Sequence, residues 1–238
     1  MVAIGYTCWK FRGDKMLKKS IDAVIFDMDG TLIDSLWVWK QVDRDFLKKR
    51  GISLPQNLQR SIEGLSFTQT ALYFKEKFNL EESIDDIENE WIEMVEYYYS
   101  NEIKIKKGVK EFLKYLKKEG YKTAVATSNF IDLTTAVLQK NKIYKYFDTV
   151  VTTGEVDRDK SYPDVFLETA KRLNASPLNC MVFEDTIAGL TGARAANMKV
   201  VAVYDSYGTC TVDELLKVSD GLIENFEGIK ESLNNIYN

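Results

Sequence analysis

The segment Asp27-Met28-Asp29-Gly30-Thr31 holds two carboxylates two residues apart, directly after the apolar run Ile-Asp-Ala-Val-Ile-Phe that begins at Ile21. An acidic pair leaving the carboxyl end of a buried strand lies where open α/β sheets bind their ligands. A calcium loop of the EF-hand type needs Gly at its sixth position and Glu at its twelfth, where this chain has Leu32 and Val38. An ordinary acidic turn is the remaining alternative. Thr127-Ser128-Asn129 ends a second apolar run and precedes a helical pattern starting near Asp132. Its hydroxyls and free backbone N–H groups suit a phosphate, and equally suit a helix cap. Lys160, in Asp159-Lys160-Ser161-Tyr162-Pro163-Asp164, could neutralise both a carboxylate and a phosphate. Glu184-Asp185 closes another buried run and offers an acidic pair to a hard cation, or a cap to the next helix.

No histidine occurs among the 238 residues. That removes the Ser-His-Asp arrangement, the usual imidazole base and the commonest zinc ligand, leaving carboxylates, lysine, hydroxyls and thiols. The three cysteines, Cys8, Cys180 and Cys210, are scattered and form no CxxC pair, which fits a reducing cytoplasm. A formal charge of −4 from nearly balanced acids and bases gives no basic stripe for a nucleic acid. No apolar run reaches membrane-spanning length, and the N-terminus lacks a secretion signal. The sequence therefore reads as a cytoplasmic protein with no membrane or nucleic-acid partner. A monomer is compatible with it, and nothing fixes the oligomeric state.

The elements that must position these groups alternate. Apolar runs at Thr123–Ala126, Thr149–Thr152, Met181–Phe183, Val200–Val203 and, more weakly, Gly221–Ile223 are separated by helical patterns, including Val109, Phe112, Leu113 and Leu116 on one face and Val165, Phe166, Thr169, Ala170 and Leu173 on another. This predicts an α/β fold, a Rossmann-like doubly wound parallel sheet covered on both sides. Residues 36–105 break the alternation. They carry helical stripes (Phe67, Ala71, Phe74, Phe78; then Ile84, Ile87, Trp91, Met94, Val95, Tyr98) and no buried strand. The expectation is a helical cap over 36–105 inserted into a core of 21–35 and 106–238, preceded by a tail at 1–20. Trp37, Trp39 and Tyr97–Tyr99 could line the cap pocket or pack the cap helices, and packing is the expectation.

The order DMDGT, ATSN, lysine before PD, then FEDT resembles the haloacid dehalogenase-like superfamily, in its branch with a helical cap, over residues 21 to about 225. The resemblance implies a Mg²⁺-dependent phosphatase acting on a small phosphorylated metabolite such as a sugar phosphate. Asp27 would be the nucleophile that becomes an aspartyl phosphate, and Asp29 the acid and base. Asp27, Asp29 through its carbonyl, Asp185 and Glu184 would hold the metal, and Thr127, Ser128, Asn129 and Lys160 the phosphoryl group. The cap stretch is also similar to β-phosphoglucomutase, which returns the phosphoryl group to a sugar. Thr31 follows the phosphatase form, Trp39 stands where the mutase carries a cap-proximal histidine, and Glu63 and Phe67 replace basic residues of its specificity loop, so hydrolysis is favoured. Ser161 stands where the family usually has proline. Glu63, Gly64 and Ser66 are the cap residues expected to face substrate. A non-catalytic scaffold should have lost one of Asp27, Asp29, Lys160 or Asp185, and all four residue types are present.

Overall fold

The computed structural model describes residues 21–229; the 1–20 segment, expected to be a tail, lies outside the described residues. In chain order the elements are β1 (Ala23–Phe26), α1 (Leu36–Lys49), α2 (Leu58–Ile62), α3 (Phe67–Phe78), α4 (Ile84–Asn101), α5 (Val109–Lys118), β2 (Lys122–Thr127), α6 (Ile131–Lys140), β3 (Thr149–Thr152), α7 (Asp164–Arg172), β4 (Cys180–Glu184), α8 (Ile187–Ala195), β5 (Lys199–Val203), α9 (Val212–Val218) and β6 (Gly221–Ile223).

The strands form one parallel sheet in the order β3-β2-β1-β4-β5-β6. Each strand is a short apolar run because both faces are covered. Val24, Phe26, Val125, Met181, Phe183, Val201 and Val203 turn to one side, where Phe112, Leu116 and Val137 of α5 and α6 meet them. Ala23, Ile25, Ala124, Ala126, Val182, Val200 and Ala202 turn to the other, against Val165 and Phe166 of α7 and Leu190 and Ala193 of α8. The chain moves outward from β1 in both directions, so the crevice between β1 and β4 is the topological switch point of the sheet.

Helices α1 to α4 lie between β1 and α5 and contribute no strand. Their apolar faces converge on Trp91, whose ring meets Phe46, Phe67 and Phe74 edge to face at 4.7–5.4 Å. Ser66 and Ser83 start α3 and α4 with reciprocal capping boxes that satisfy otherwise unpaired N–H groups. The seam of α4 runs through Ile87, Trp91, Val95 and Tyr99. The stripe expected from sequence ended at Tyr98, which instead lies partly buried at the side, edge to face with Trp37. The two strands of chain joining these helices to the sheet run side by side: Asp34 N donates to Lys104 O and Lys106 N to Leu32 O, with Ile33 and Ile105 paired between them.

Candidate active site

Sheet order explains why residues distant in sequence meet. β2, β1 and β4 are adjacent, so their carboxyl ends, followed by Ser128, Asp27 and Asp185, form one edge with neighbouring strands about 4.8 Å apart. Lys160 arrives from the segment between β3 and α7. That segment can approach because Gly192 of α8 has no side chain where the carbonyls of Lys160 and Tyr162 pass. Gly30 has φ +80°, the left-handed region, and a Cβ there would collide with the Asp185 carboxylate.

Lys160 Nζ lies 2.5 Å from Asp27 Oδ1 and 2.6 Å from Glu184 Oε2, all three side chains buried. Glu184 is saturated, since its Oε1 accepts from Asp185 N (3.1 Å), Thr186 N (3.0 Å) and Thr186 Oγ1 (2.9 Å). Burial opposes its charge, yet Lys160 and these donors hold it below the usual carboxylate range. Asp27 is pushed up to about 7, by burial above all and then by Glu184, against Lys160. Asp185 is raised well above the carboxylate range by burial and by Glu184 and Asp27. Lys160 thus pairs with Asp27 and Glu184 while only the more distant Lys106 favours charge on Asp185, so three buried carboxylates together disfavour full ionisation.

A divalent cation fits this set. Asp27, Glu184 and Asp185 each bring a carboxylate oxygen within 4.8 Å of the others. Asp27 Oδ2 is buried with no hydrogen-bond partner, and an all-oxygen donor set suits Mg²⁺. Since Glu184 is already engaged by Lys160 and backbone N–H groups, Asp27 and Asp185 are the side chains with capacity for a metal.

Asp29 belongs to a different network. Its Oδ1 accepts from Ser35 Oγ at 2.6 Å and from the Tyr99 hydroxyl, with Trp39 Nε1 at 3.5 Å, and its Oδ2 accepts from Asn129 Nδ2 at 3.0 Å. Trp39 Nε1 also donates to Tyr99 Oη at 2.9 Å. Two residues for which helix packing was the expectation therefore reach the acidic pair. The sequence did not assign Tyr99 to Asp29, because a tyrosine ending an apolar seam carries no pattern of its own. Asn129, expected to hold phosphate, has its amide turned toward Asp29 and Tyr99. Ser128 Oγ is buried and unpartnered, and Thr127 Oγ1 accepts the Asn129 N–H at 3.1 Å.

These groups, Tyr99 and Ser35 excepted, line a cavity of about 230 Å³ bounded above by α1 to α4, below the roughly 300–1,000 Å³ usual for ligand pockets. Glu63 and Gly64 line it, but the Glu63 carboxylate is occupied: it accepts from Ile187 N at 3.1 Å and Thr209 Oγ1 at 2.9 Å. It fastens the loop after α2 to the N-terminus of α8. Ser66 is not among the lining residues, and its hydroxyl caps α3 instead. The lining also includes Asp43 and Gln59, which sequence reading passed over, and Trp91, expected only as part of an apolar helical stripe. The signal for Asp43 was available, as it interrupts an otherwise apolar face of α1.

A six-stranded parallel sheet with an acidic pair after its first strand, a lysine, and a second acidic pair after the fourth defines a class of α/β hydrolytic enzyme. The family model for haloacid dehalogenase-like hydrolases matches residues 24–203, and the chain belongs to that family. It is 30% identical over 188 residues to a bifunctional riboflavin kinase/FMN phosphatase of Arabidopsis thaliana, covering 79% of this chain and 49% of the other, so it spans about half the length of that relative. A phosphorylated carbohydrates phosphatase of Thermotoga maritima is 29% identical over 179 residues, covering 75% of this chain and 83% of that one. Among solved structures, a β-phosphoglucomutase of Clostridium difficile superposes with a TM-score of 0.75 at 26% identity, over 91% of this chain and 97% of the other.

Proposed function

We propose that this chain is a Mg²⁺-dependent phosphatase that hydrolyses small sugar-like phosphate monoesters through a phosphorylated Asp27, with α1 to α4 as a cap over the core. The observation that carries the reading is Asp27 Oδ2, a buried oxygen with no partner, set in a cavity that also holds Asp29, Ser128 and Lys160. The similarity to a phosphorylated carbohydrates phosphatase supports the substrate class.

Lys160 holds Asp27 by Oδ1, which leaves Oδ2 to attack phosphorus. As the new O–P bond forms, the bond to the leaving oxygen breaks, and Asp29 in its acid form gives that oxygen a proton. The Asp29 carboxylate then takes a proton from water, whose oxygen attacks phosphorus and releases the Asp27 carboxylate with inorganic phosphate. Proton transfer of this kind contributes about 10²–10⁴-fold. Lys160 and the Ser128 hydroxyl stabilise the phosphoryl oxygens through the transfer. Mg²⁺ held by Asp27 and Asp185, with the Asp29 carbonyl, would neutralise the repulsion between a carboxylate and an anionic phosphate.

The test is phosphate release from a panel of sugar and polyol phosphates with and without Mg²⁺, for the native protein and Asp27→Asn. Metal-dependent release abolished by the substitution is expected. Release that survives Asp27→Asn refutes the mechanism, and conversion of β-glucose 1-phosphate to glucose 6-phosphate without release would make the protein a mutase.

A further inference from the structure

The chain leaves the sheet for α1 through residues 32–34 and returns through 104–106, where Lys106 N donates to Leu32 O. The Lys106 side chain turns inward. Its Nζ lies 2.7 Å from Asp205 Oδ2, with the two side chains 9% and 7% exposed. Outside the Lys160 cluster, no other ion pair among the described residues has both side chains buried to this degree. A buried ion pair adds little stability over apolar side chains of the same volume, so stability alone does not account for it.

Asp205 stands two residues beyond β5 and opens a tight loop. Its Oδ1 accepts from Tyr207 N at 2.8 Å and its carbonyl from Gly208 N at 3.0 Å. Tyr207, Gly208 and Thr209 then line the cavity that holds Asp27, whereas Lys106 and Asp205 do not. At the far end of this loop Thr209 Oγ1 donates to Glu63 Oε2, and Glu63 Oε1 accepts from Ile187 N. Ile187 N lies in the first turn of α8, where no carbonyl of the helix can reach it. Loop 205–209 therefore takes the return linker of the helical segment at one end, through Lys106, and the loop after α2 at the other, through Glu63.

We propose that Lys106 and Asp205 are positioning residues, whose ion pair sets loop 205–209 so that Thr209 receives Glu63, coupling the linker to the Glu63 contact. The consequence for catalysis rests on the phosphatase reading, since the coupling seats α1 to α4 over Asp27. Without the pair the loop keeps only its own turn, and Glu63 loses its Thr209 partner. Lys106 also favours charge on Asp185; that effect acts on the acidic cluster directly and leaves the Ile187 amide undisturbed.

The experiment is hydrogen exchange of single amides by NMR in the native protein, Glu63→Ala and Lys106→Met/Asp205→Leu, with Val182 N–H of β4 as the reference for global opening. The paired variant should fold, because it exchanges a buried ion pair for apolar side chains. Lys106→Met/Asp205→Asn, which keeps an acceptor for Tyr207 N, replaces it otherwise. Relative to Val182, the Ile187 amide is expected to exchange roughly tenfold faster or more in the paired variant, as in Glu63→Ala. An Ile187 amide as protected as in the native protein overturns the proposal, even where Tyr207 exchanges faster. Equal acceleration at Ile187 and Val182 overturns it too, because the variant is then merely less stable. In kcat/KM for sugar phosphates, the losses from Glu63→Ala and the paired variant should not multiply when combined, and full multiplication overturns the coupling. If the native protein releases phosphate from no ester, the phosphatase reading fails by itself, and the exchange result alone decides the coupling.

Discussion

Replacing Asp43 with Asn should make the protein more stable, increasingly so as pH rises. Burial, only partly offset by the Gln59 hydrogen bond, pushes the Asp43 carboxyl up from 3.8 to about 7. The folded state thus binds this proton more tightly than the unfolded chain does. Native stability falls as pH climbs from the unfolded value toward the folded one, and the penalty is constant above it. At about 1.4 kcal/mol per unit, roughly one unit of the penalty is already present at pH 5 and about three units at pH 8. The advantage of Asp43→Asn should therefore grow by about 3 kcal/mol over that interval, or roughly 6–12 °C in Tm for a chain of this size. Asn keeps the volume and bonds Gln59 once that amide turns over. The assay is urea or thermal unfolding of both proteins at pH 5, 6, 7 and 8 in EDTA. Subtracting the curves removes the contributions of Asp27 and Asp185, which titrate in both. Parallel stability profiles would show that Asp43 does not carry its charge into the apolar surroundings described here, and the reasoning from its burial would fall.

Tyr99→Phe removes the O–H that meets Asp29 Oδ1 while keeping the ring in its seam, and loss of a hydrogen bond to a charged group, about 1.5–3 kcal/mol, should lower kcat by roughly 10- to 100-fold with KM little altered in steady-state kinetics. Glu63→Ala leaves Ile187 N and Thr209 Oγ1 without their acceptor, so unfolding should cost about 1–3 kcal/mol less and KM should rise as the loop after α2 loosens; an unchanged KM and Tm would mean the contact contributes nothing. Millimolar Mg²⁺ should raise the Tm of the native protein measurably and leave Asp185→Asn nearly unshifted in the same melting assay, because ligand binding stabilises only the state that holds the site.

The strands were legible because a parallel sheet covered on both faces demands continuous apolar runs, and each run expected from sequence became a strand of the sheet. The cluster of Asp27, Lys160, Glu184 and Asp185 was legible for a related reason, since sheet order brings together chemistry that already stood at the ends of those runs. The roles within the helical segment were not. Helical periodicity fixes which side of a helix is apolar, but not whether that side meets another helix or the cavity. Trp39 and Tyr99 satisfied the apolar pattern while spending their polar atoms on Asp29. Ser66 looked like part of a substrate loop, and the capping box with Gln69 claims its hydroxyl.

Asp29 connects the two halves of this picture. Its donors come from both sides of the cavity, Asn129 from the end of β2 and Tyr99 and Trp39 from α4 and α1. Any displacement of α1 and α4 from the sheet must break the contacts with Tyr99 and Trp39 while leaving Asn129 in place. The Asp29 carboxylate would then keep Ser35 on Oδ1 and Asn129 on Oδ2 but lose the two donors that reach it from the helices. Under the proposed mechanism, a substrate admitted while the helices stand apart meets an acid held by fewer donors, and seating of the helices completes the set that fixes it for proton transfer.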